Sequence, residues 1–246
     1  MLKQVLLVVG ALSFIPAQAE EKAAHNHGGM HWDYTGEMAP EHWGGACQSG
    51  KSQSPINIIG GAQANLKPIE FSYKSAENAE IVNNGHTIQV NYPAGSYAVM
   101  NGKKYNLLQF HFHTPSEEAI KGKRSDMVAH LVHKADDGEL AVVGVLFNKG
   151  AKETATLNSI WGGMPKAEGK GSAKNAINVA DLLPRDQRYF RFAGSLTTPP
   201  CTEGVQWHVL QAQQEISPQQ LSAFAAIFPM NARPLQPLNE RLVEAN

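Results

Sequence analysis

The segment QFHFH, residues 109–113, places two imidazoles and two phenyl rings in alternation. Successive side chains of a β-strand point to opposite faces of a sheet, so His111 and His113 share one face while Phe110 and Phe112 share the other. Two imidazoles on one face make half of a metal site.

A second histidine pair lies in HLVH, residues 130–133, which is also strand-like. If this strand pairs with the first, it supplies a third imidazole from His130 or from His133, but not from both, because residues three apart lie on opposite faces. Spacing alone does not choose between them. Three neutral imidazoles suit zinc and leave a fourth tetrahedral position for water, as in catalytic zinc sites. Ordinary polar residues on a solvated sheet face are the alternative interpretation.

The sequence around these histidines is dominated by strand patterns. Between residues 81 and 147, short apolar segments alternate with turn signals. These signals are Asn84-Gly85, Pro93-Ala94-Gly95, Asn101-Gly102 and Asp136-Asp137-Gly138. We therefore expect a meander of antiparallel strands within one large, mainly β (α+β) domain.

Helical patterns are few and short. One apolar face is formed by Leu157, Ile160 and Trp161, and another by Leu221, Phe224, Ala225 and Phe228. Before the second face, Ser217 is the predicted N-cap, Pro218 takes the first helical position and Gln220 completes a capping box.

The chain of 246 residues carries a formal net charge of -1 and has a sequence pI near 6.8. It has no basic excess to neutralise phosphates or an anionic membrane surface, so we expect no nucleic-acid partner. Its hydrophobic content of 42% is sufficient for a sizeable core.

The N-terminus follows the pattern of a signal peptide. Lys3 precedes an apolar run over residues 5–15, and Ala17-Gln18-Ala19 supplies small residues around a cleavable bond. The run is shorter than the ~20 residues that span a bilayer, and no later segment is long or apolar enough to do so. We expect residues 1–19 to be removed after Ala19, residues 20–31 to form a flexible leader, and residues 32–246 to form the domain. The mature protein would then be periplasmic or secreted.

The chain has two cysteines, Cys47 and Cys201. In an oxidising compartment an even pair normally forms a disulfide, whereas free thiols are usual in the cytosol. We therefore predict a bond between Cys47 and Cys201.

Taken together, the chain resembles the α-class carbonic anhydrases, of the bacterial exported kind, from about Trp32 to Arg241. The resemblance rests on ordered motifs: QSPIN (53–57), NNGH (83–86), QFHFH (109–113), HLVH (130–133), SLTTPP (195–200) and Trp207. It implies a central twisted, mostly antiparallel ten-stranded sheet with short peripheral helices and a conical cleft. It also implies that His111, His113 and His130 bind Zn²⁺ and that His133 does not.

The resemblance further assigns roles by position. Thr197 would accept a hydrogen bond from the metal-bound hydroxide while donating one to Glu117, and His86 would be the proton shuttle. Gln109 would orient His111. The residues that order the connecting waters would be Tyr34, Asn84 and Gln89, and those that form the substrate pocket would be Val132, Val142, Leu196, Val205 and Trp207, with Thr198 at its polar edge.

One position departs from the family pattern. The family usually has a glutamate two residues before its third metal ligand, where the carboxylate accepts a hydrogen bond from that histidine, and this chain has Val128 there. We expect His130 to use water or a backbone carbonyl instead. Loss of such a partner typically costs ~10- to 100-fold in metal affinity or activity, so we expect weaker zinc binding.

The resemblance thus implies a zinc enzyme that interconverts carbon dioxide and bicarbonate. Inhibition by anions and sulfonamides, and a possible homodimer, are further implications. The alternative is a non-catalytic protein of the same fold that binds zinc or a protein partner. Such a protein would be expected to lack a histidine ligand, Thr197 or Glu117, all of which are present.

Overall fold

The computed structural model describes residues 31–246. The predicted signal peptide and the predicted leader up to residue 30 lie outside the described residues. Within the described part, none of the helices combines the length and apolar character that crossing a bilayer would require.

The described chain is built mainly from strands. They are β1 (Asn57–Ile58), β2 (Ala62–Gln63), β3 (Glu70–Ser72), β4 (Glu80–Asn83), β5 (Ile88–Asn91), β6 (Tyr97–Met100), β7 (Lys103–His113), β8 (Ala119–Ile120), β9 (Lys123–Arg124), β10 (Met127–Lys134), β11 (Leu140–Lys149), β12 (Gly169–Ser172), β13 (Tyr189–Ser195), β14 (Glu203–Leu210), β15 (Gln214–Ile216) and β16 (Glu244–Ala245). The α-helices are α1 (Ala46–Ser49), α2 (Ala155–Gly163) and α3 (Pro218–Ala225), and short 3₁₀ helices span Gly36–Met38, Pro40–His42 and Val179–Leu182.

Within residues 31–246, thirteen strands form one twisted, mixed sheet whose main path runs β12-β4-β5-β7-β10-β11-β14-β13-β16-β2. The β11–β14, β11–β15 and β16–β2 pairs are parallel, and the other neighbours are antiparallel. The predicted mainly β class is confirmed, and the ten strands of the main path match the predicted number. β1, β8 and β9 form a separate small sheet.

Three strands, β3, β6 and β15, pair beside the main path and were not expected from the resemblance. β6 and β15 pair with parts of two long central strands, β7 and β11, and β3 pairs with β6. β7 has 11 residues, so its second half pairs with β5 while its first half pairs with β6. β11 has 10 residues and likewise pairs with β14 and then with β15.

Two apolar clusters lie against the sheet, and β10 separates them by side-chain alternation. Ala129 and Leu131 belong to the larger cluster, whereas Val128 and Val132 belong to the smaller cluster around Trp207. His130 shares a face with the two valines, so it points towards the smaller cluster.

Turn and cap chemistry follow the sequence in most places. At the predicted Asn101-Gly102 turn both residues have positive φ, 52° and 85°, as a type I′ hairpin turn between β6 and β7 requires. Ser217 caps α3, because its hydroxyl accepts a hydrogen bond from the Gln220 N–H at 3.2 Å.

The predicted capping box is only half formed. The Gln220 side chain does not return to Ser217 but donates to the carbonyl of Thr154 at 2.8 Å and to the Asn158 side chain at 2.7 Å. It therefore joins α3 to α2, a tertiary contact that a local motif does not contain.

The predicted disulfide between Cys47 and Cys201 is present and joins residues 154 positions apart. Both cysteines are buried beside Tyr34 and Trp43. The bond therefore fixes the N-terminal segment against the loop that follows β13.

We expect a Cys47→Ala/Cys201→Ala variant to lose about 2–5 kcal/mol of unfolding free energy, because the unfolded chain is no longer restrained by a long closed loop. Urea denaturation of the oxidised parent and of the variant measures this difference. Reductant should destabilise the parent and leave the variant unchanged. An equal effect of reductant on both proteins would show that the disulfide does not stabilise the fold.

Candidate metal centre

Three histidines meet where β7 pairs with β10. His111 lies directly opposite His130 in the antiparallel register, and His113 follows on the same face of β7. One ring nitrogen from each histidine lies within 4.8 Å of the others, and no carboxylate belongs to this group of possible ligands in residues 31–246. The geometry brings together three imidazole donors and leaves a position open for a fourth, non-protein ligand.

The second ring nitrogen of each histidine contacts an acceptor. His111 Nδ1 lies 2.9 Å from Gln109 Oε1, as predicted, and His113 Nδ1 lies 2.7 Å from the backbone oxygen of Asn231. Donation from Nδ1 leaves Nε2 of both rings free to bind a metal. His113 Nε2 is in fact buried without a hydrogen-bond partner in the described part of the chain, as expected of a ligand atom.

The third ring is turned the other way, because His130 Nε2 lies 3.2 Å from Glu118 Oε2. The expectation that His130 uses water or a backbone carbonyl is therefore wrong. A carboxylate is present after all, but it comes from the loop before β8 and not from position 128. Val128 is instead fully buried in the smaller apolar cluster.

Burial sets the protonation of the first two rings. It lowers the pKa of His111 to about 3, helped by the nearby His130, and it lowers the pKa of His113 well below its usual value. Both imidazoles are therefore neutral near pH 7, which is the form that binds metals. Burial also disfavours charge on His130, but the carboxylates of Glu118 and Glu117 outweigh it and raise its pKa.

His133 lies on the other side of β10. Its Nδ1 contacts the Leu131 carbonyl at 2.9 Å and its Nε2 contacts the Tyr73 hydroxyl at 2.8 Å. Both ring nitrogens thus have partners away from the cluster. Of the two histidines between which spacing did not decide, His130 is the one that belongs to the cluster.

Glu117 lies buried behind the histidines. Its Oε1 accepts a hydrogen bond from the Arg233 N–H at 2.8 Å, and its Oε2 lies 3.5 Å from His113 Nε2. Burial raises the pKa of Glu117 to about 7, whereas His130 and a hydrogen bond from the Thr197 hydroxyl lower it. The pairing of Thr197 with Glu117 stays a prediction, and this effect on the pKa of Glu117 is consistent with it.

A cavity of about 240 Å³ opens above the three imidazoles. It has a polar side and an apolar side. The polar side is lined by Tyr34, Asn84, His86, Gln89, Gln109, Thr197 and Thr198, and the apolar side by Val132, Val142, Leu196 and Trp207. Val205 is the exception among the predicted pocket residues, because it is buried within the smaller apolar cluster and lies behind this wall.

His86 lines the polar side of the cavity and is stacked on Trp32, with ring centroids 3.7 Å apart and planes 13° from parallel. Its backbone is fixed as well, since its N–H donates to Asn84 Oδ1 and its carbonyl accepts from Asn231 Nδ2, each at 3.0 Å. The ring therefore stands at the cavity with one face covered.

Four residues that sequence reasoning did not single out complete the centre: Trp32, Glu118, Asn231 and Arg233. Asn231 and Arg233 follow α3 and contact His113 and Glu117, each more than 100 residues away. No local pattern marks such partners. Glu118, directly after Glu117, was visible as a second carboxylate near the predicted ligands, and this was the one available signal.

The donor set fits zinc. Three imidazole nitrogens converge, two of the rings are neutral, and every ring is oriented by an acceptor on its far nitrogen. An open fourth position and the absence of a cysteine ligand are typical of catalytic rather than structural zinc sites.

Comparison with known proteins gives a consistent result. A family model described as eukaryotic-type carbonic anhydrase matches residues 38–246. The carbonic anhydrase of Neisseria gonorrhoeae is 45% identical over 242 residues, which cover 95% of this chain and 94% of the relative.

Solved structures agree. The Photobacterium profundum α-carbonic anhydrase is 48% identical with a TM-score of 0.83, and the match covers 87% of this chain and 99% of that one. The α-carbonic anhydrase of Thermovibrio ammonificans, solved with the inhibitor sulfanilamide, is 43% identical with a TM-score of 0.85 over 88% of this chain and 100% of the other. The chain therefore belongs to the α-class, or eukaryotic-type, carbonic anhydrase family, and the enzyme class predicted from its sequence is confirmed.

Proposed function

We propose that this carbonic anhydrase holds Zn²⁺ with His111, His113 and His130 and uses it to interconvert carbon dioxide and bicarbonate. The observation that carries the proposal is the convergence of three imidazole nitrogens within 4.8 Å beneath an open cavity. Zinc, when bound, would supply a water whose pKa is lowered to about 7, a magnitude established for carbonic anhydrases themselves.

Thr197 and Glu117 orient the nucleophile in this proposal. A hydroxyl that donates its only proton to the Glu117 carboxylate offers an acceptor oxygen towards the cavity. Only a nucleophile that still carries a proton can donate to that oxygen, so its lone pair is directed elsewhere, towards the substrate. The Arg233 N–H contact with Glu117 at 2.8 Å and the 6% exposure of Thr197 support this role, because both groups are held in place.

The apolar wall binds carbon dioxide, which has no net dipole and needs few hydrogen-bond donors. Val132, Val142, Leu196 and Trp207 line the cavity beside the histidines, with Thr198 at the edge. The Trp207 ring lies close to the backbone of β13 because residue 194 is glycine: a Cβ there would lie 2.6 Å from Trp207 Cδ1. Val205 packs in the same apolar cluster as these residues and is not among those that line the cavity.

His86 transfers the proton out of the cavity. An imidazole is the side chain best suited to accept and release a proton near neutrality. Tyr34, Asn84 and Gln89 line the same polar side and would order the waters between the metal and His86.

Export and inhibition complete the proposal. Residues 1–19 direct the chain to the periplasm or the medium, residues 20–31 form the leader, and residues 32–246 form the catalytic domain. Sulfonamides and anions bind in the same cavity by analogy with the sulfanilamide complex of the Thermovibrio ammonificans relative. Homodimer formation stays a prediction that sedimentation analysis would check.

Stopped-flow measurement of carbon dioxide hydration, with and without a zinc chelator, tests the proposal directly. We expect the metal-loaded protein to accelerate hydration above buffer and the chelator to abolish that rate. Zinc binding without hydration would favour the non-catalytic alternative.

We expect His130→Ala to weaken zinc binding by more than the ~10- to 100-fold that loss of an outer partner costs, because a direct ligand is removed. His133→Ala is the matched control on the same strand and should still bind one zinc per chain. Zinc titration in competition with a chelator compares the two variants. Equal loss of zinc from both would contradict the assignment of the third ligand.

We expect Thr197→Val to lower kcat/KM for carbon dioxide hydration by on the order of 100-fold, the scale reported for removing one oriented hydrogen bond from a reaction centre. Zinc affinity should stay close to that of the parent, because Thr197 does not bind the metal. Thr202→Val changes an exposed residue of the same loop and serves as the control. Unchanged catalysis in Thr197→Val would remove this residue from the mechanism.

We expect His86→Ala to lower kcat at low buffer concentration by on the order of 10- to 100-fold, at or below the lower end of what positioned acid–base groups contribute. Added imidazole should restore the rate, since it replaces the missing proton carrier. His42→Ala alters an exposed histidine outside the cavity and should have no effect. A low-buffer rate that is insensitive to the His86 change would exclude it as the shuttle.

A further inference from the structure

We infer that Glu118 orients the third zinc ligand, His130, and replaces the glutamate that the family usually carries at the position of Val128. The inference rests on the proposed zinc site and names a positioning residue within it. It also reverses the expectation that this chain binds zinc more weakly because Val128 is apolar.

The contact between Glu118 and His130 has the geometry that such a role requires. Glu118 Oε2 lies 3.2 Å from His130 Nε2, and the two side chains are 0% and 1% exposed. A carboxylate at Nε2 holds the proton on that nitrogen and leaves Nδ1 unprotonated. His130 Nδ1 faces Glu117 Oε2 at 3.8 Å, on the side of the other two imidazoles. The contact therefore selects the tautomer that can bind a metal at the shared point.

The backbone holds Glu118 in place from both sides. The Glu118 carbonyl accepts a hydrogen bond from the Ser116 hydroxyl at 2.7 Å. The next residue, Ala119, begins β8 and donates its N–H to the Ile56 carbonyl at 3.3 Å. Because Ala119 also pairs with Asn57 in the small sheet, the loop residue Glu118 is anchored directly beside a paired strand.

Val128 lies on the same face of β10 as His130, two residues earlier. Its neighbours across the sheet are His113 on β7 and Leu146 on β11, and its side chain is fully buried among apolar residues. In this chain, position 128 therefore belongs to the apolar packing, while the carboxylate that contacts His130 comes from Glu118, directly before β8.

Glutamates at positions 118 and 128 cannot both be accommodated beside His130. His130 has one ring N–H on its outer side, and it can satisfy one carboxylate. Glu118 Oε1 is already buried without a hydrogen-bond partner in the described part of the chain, so no spare donor is at hand for a second carboxylate. A glutamate at 128 beside Glu118 would be a buried carboxylate without a partner and close to a like charge.

Because His130 can satisfy only one carboxylate, single and double variants at positions 118 and 128 are compared. The zinc dissociation constant is measured by chelator competition for the parent, Glu118→Gln, Val128→Glu and the double variant. We expect Glu118→Gln to bind zinc about 10- to 100-fold more weakly. Val128→Glu alone should bind no more tightly than the parent, whereas the double variant should recover most of the loss.

The control is Glu139→Gln, which alters a carboxylate that binds Tyr105 away from the histidines and should keep the affinity of the parent. The melting temperatures of the metal-free proteins are measured alongside. If Glu118→Gln melts earlier but binds zinc as the parent does, Glu118 is structural and the inference is wrong.

The single variant Val128→Glu tests the role of Glu118 even if Glu118→Gln does not fold. Tighter zinc binding in Val128→Glu, by about the 10- to 100-fold expected of an added outer partner, would mean that His130 has no effective carboxylate in the parent. If the parent itself binds no zinc, the proposed function fails and not merely this inference.

Discussion

The backbone pairing between β7 and β10 is the constraint on which the metal centre depends. It sets His111 opposite His130, and the alternation of β7 then brings His113 to the same point. A register slip of one residue would turn each imidazole to the opposite face of its strand. The phenylalanines that alternate with the histidines resist such a slip, because Phe110 and Phe112 are fully buried in the larger cluster. The packing of the phenylalanine face of β7 therefore fixes the position of its histidine face.

The three imidazoles depend on acceptors from three different parts of the fold. Gln109 comes from β7 itself, the Asn231 carbonyl from the segment after α3, and Glu118 from the loop that leads into the small sheet. In a buried site these contacts are worth more than they would be in water, since little solvent competes for the ring nitrogens. They also fix different nitrogens, so two rings face the centre with Nε2 and the third with Nδ1.

Sequence reasoning succeeded where the signal is local. Side-chain alternation located His111 and His113 on one face, and the cap residue Ser217 marked the start of α3. It left the third histidine open, because a single strand does not show which face its partner presents. It did not identify Asn231 as the partner of His113, and its expectation for the partner of His130 was wrong. Both contacts join segments that only the folded structure brings together. The resemblance supplied the third ligand and identified Val128 as a departure from the family pattern, but it did not indicate that Glu118 would contact His130 instead.

The segment 231–233 contacts the centre at two points and holds the N-terminal region as well. Asn231 binds His113, the Arg233 N–H binds Glu117, and the Arg233 guanidinium donates to the carbonyls of Cys47 and Ser54 at 2.7 Å. Part of the geometry of the centre is therefore completed by residues more than 100 positions after His113 and Glu117. During synthesis, a nascent polypeptide that has not yet extended past Arg233 lacks these restraints, so the centre is complete only after this segment has been made.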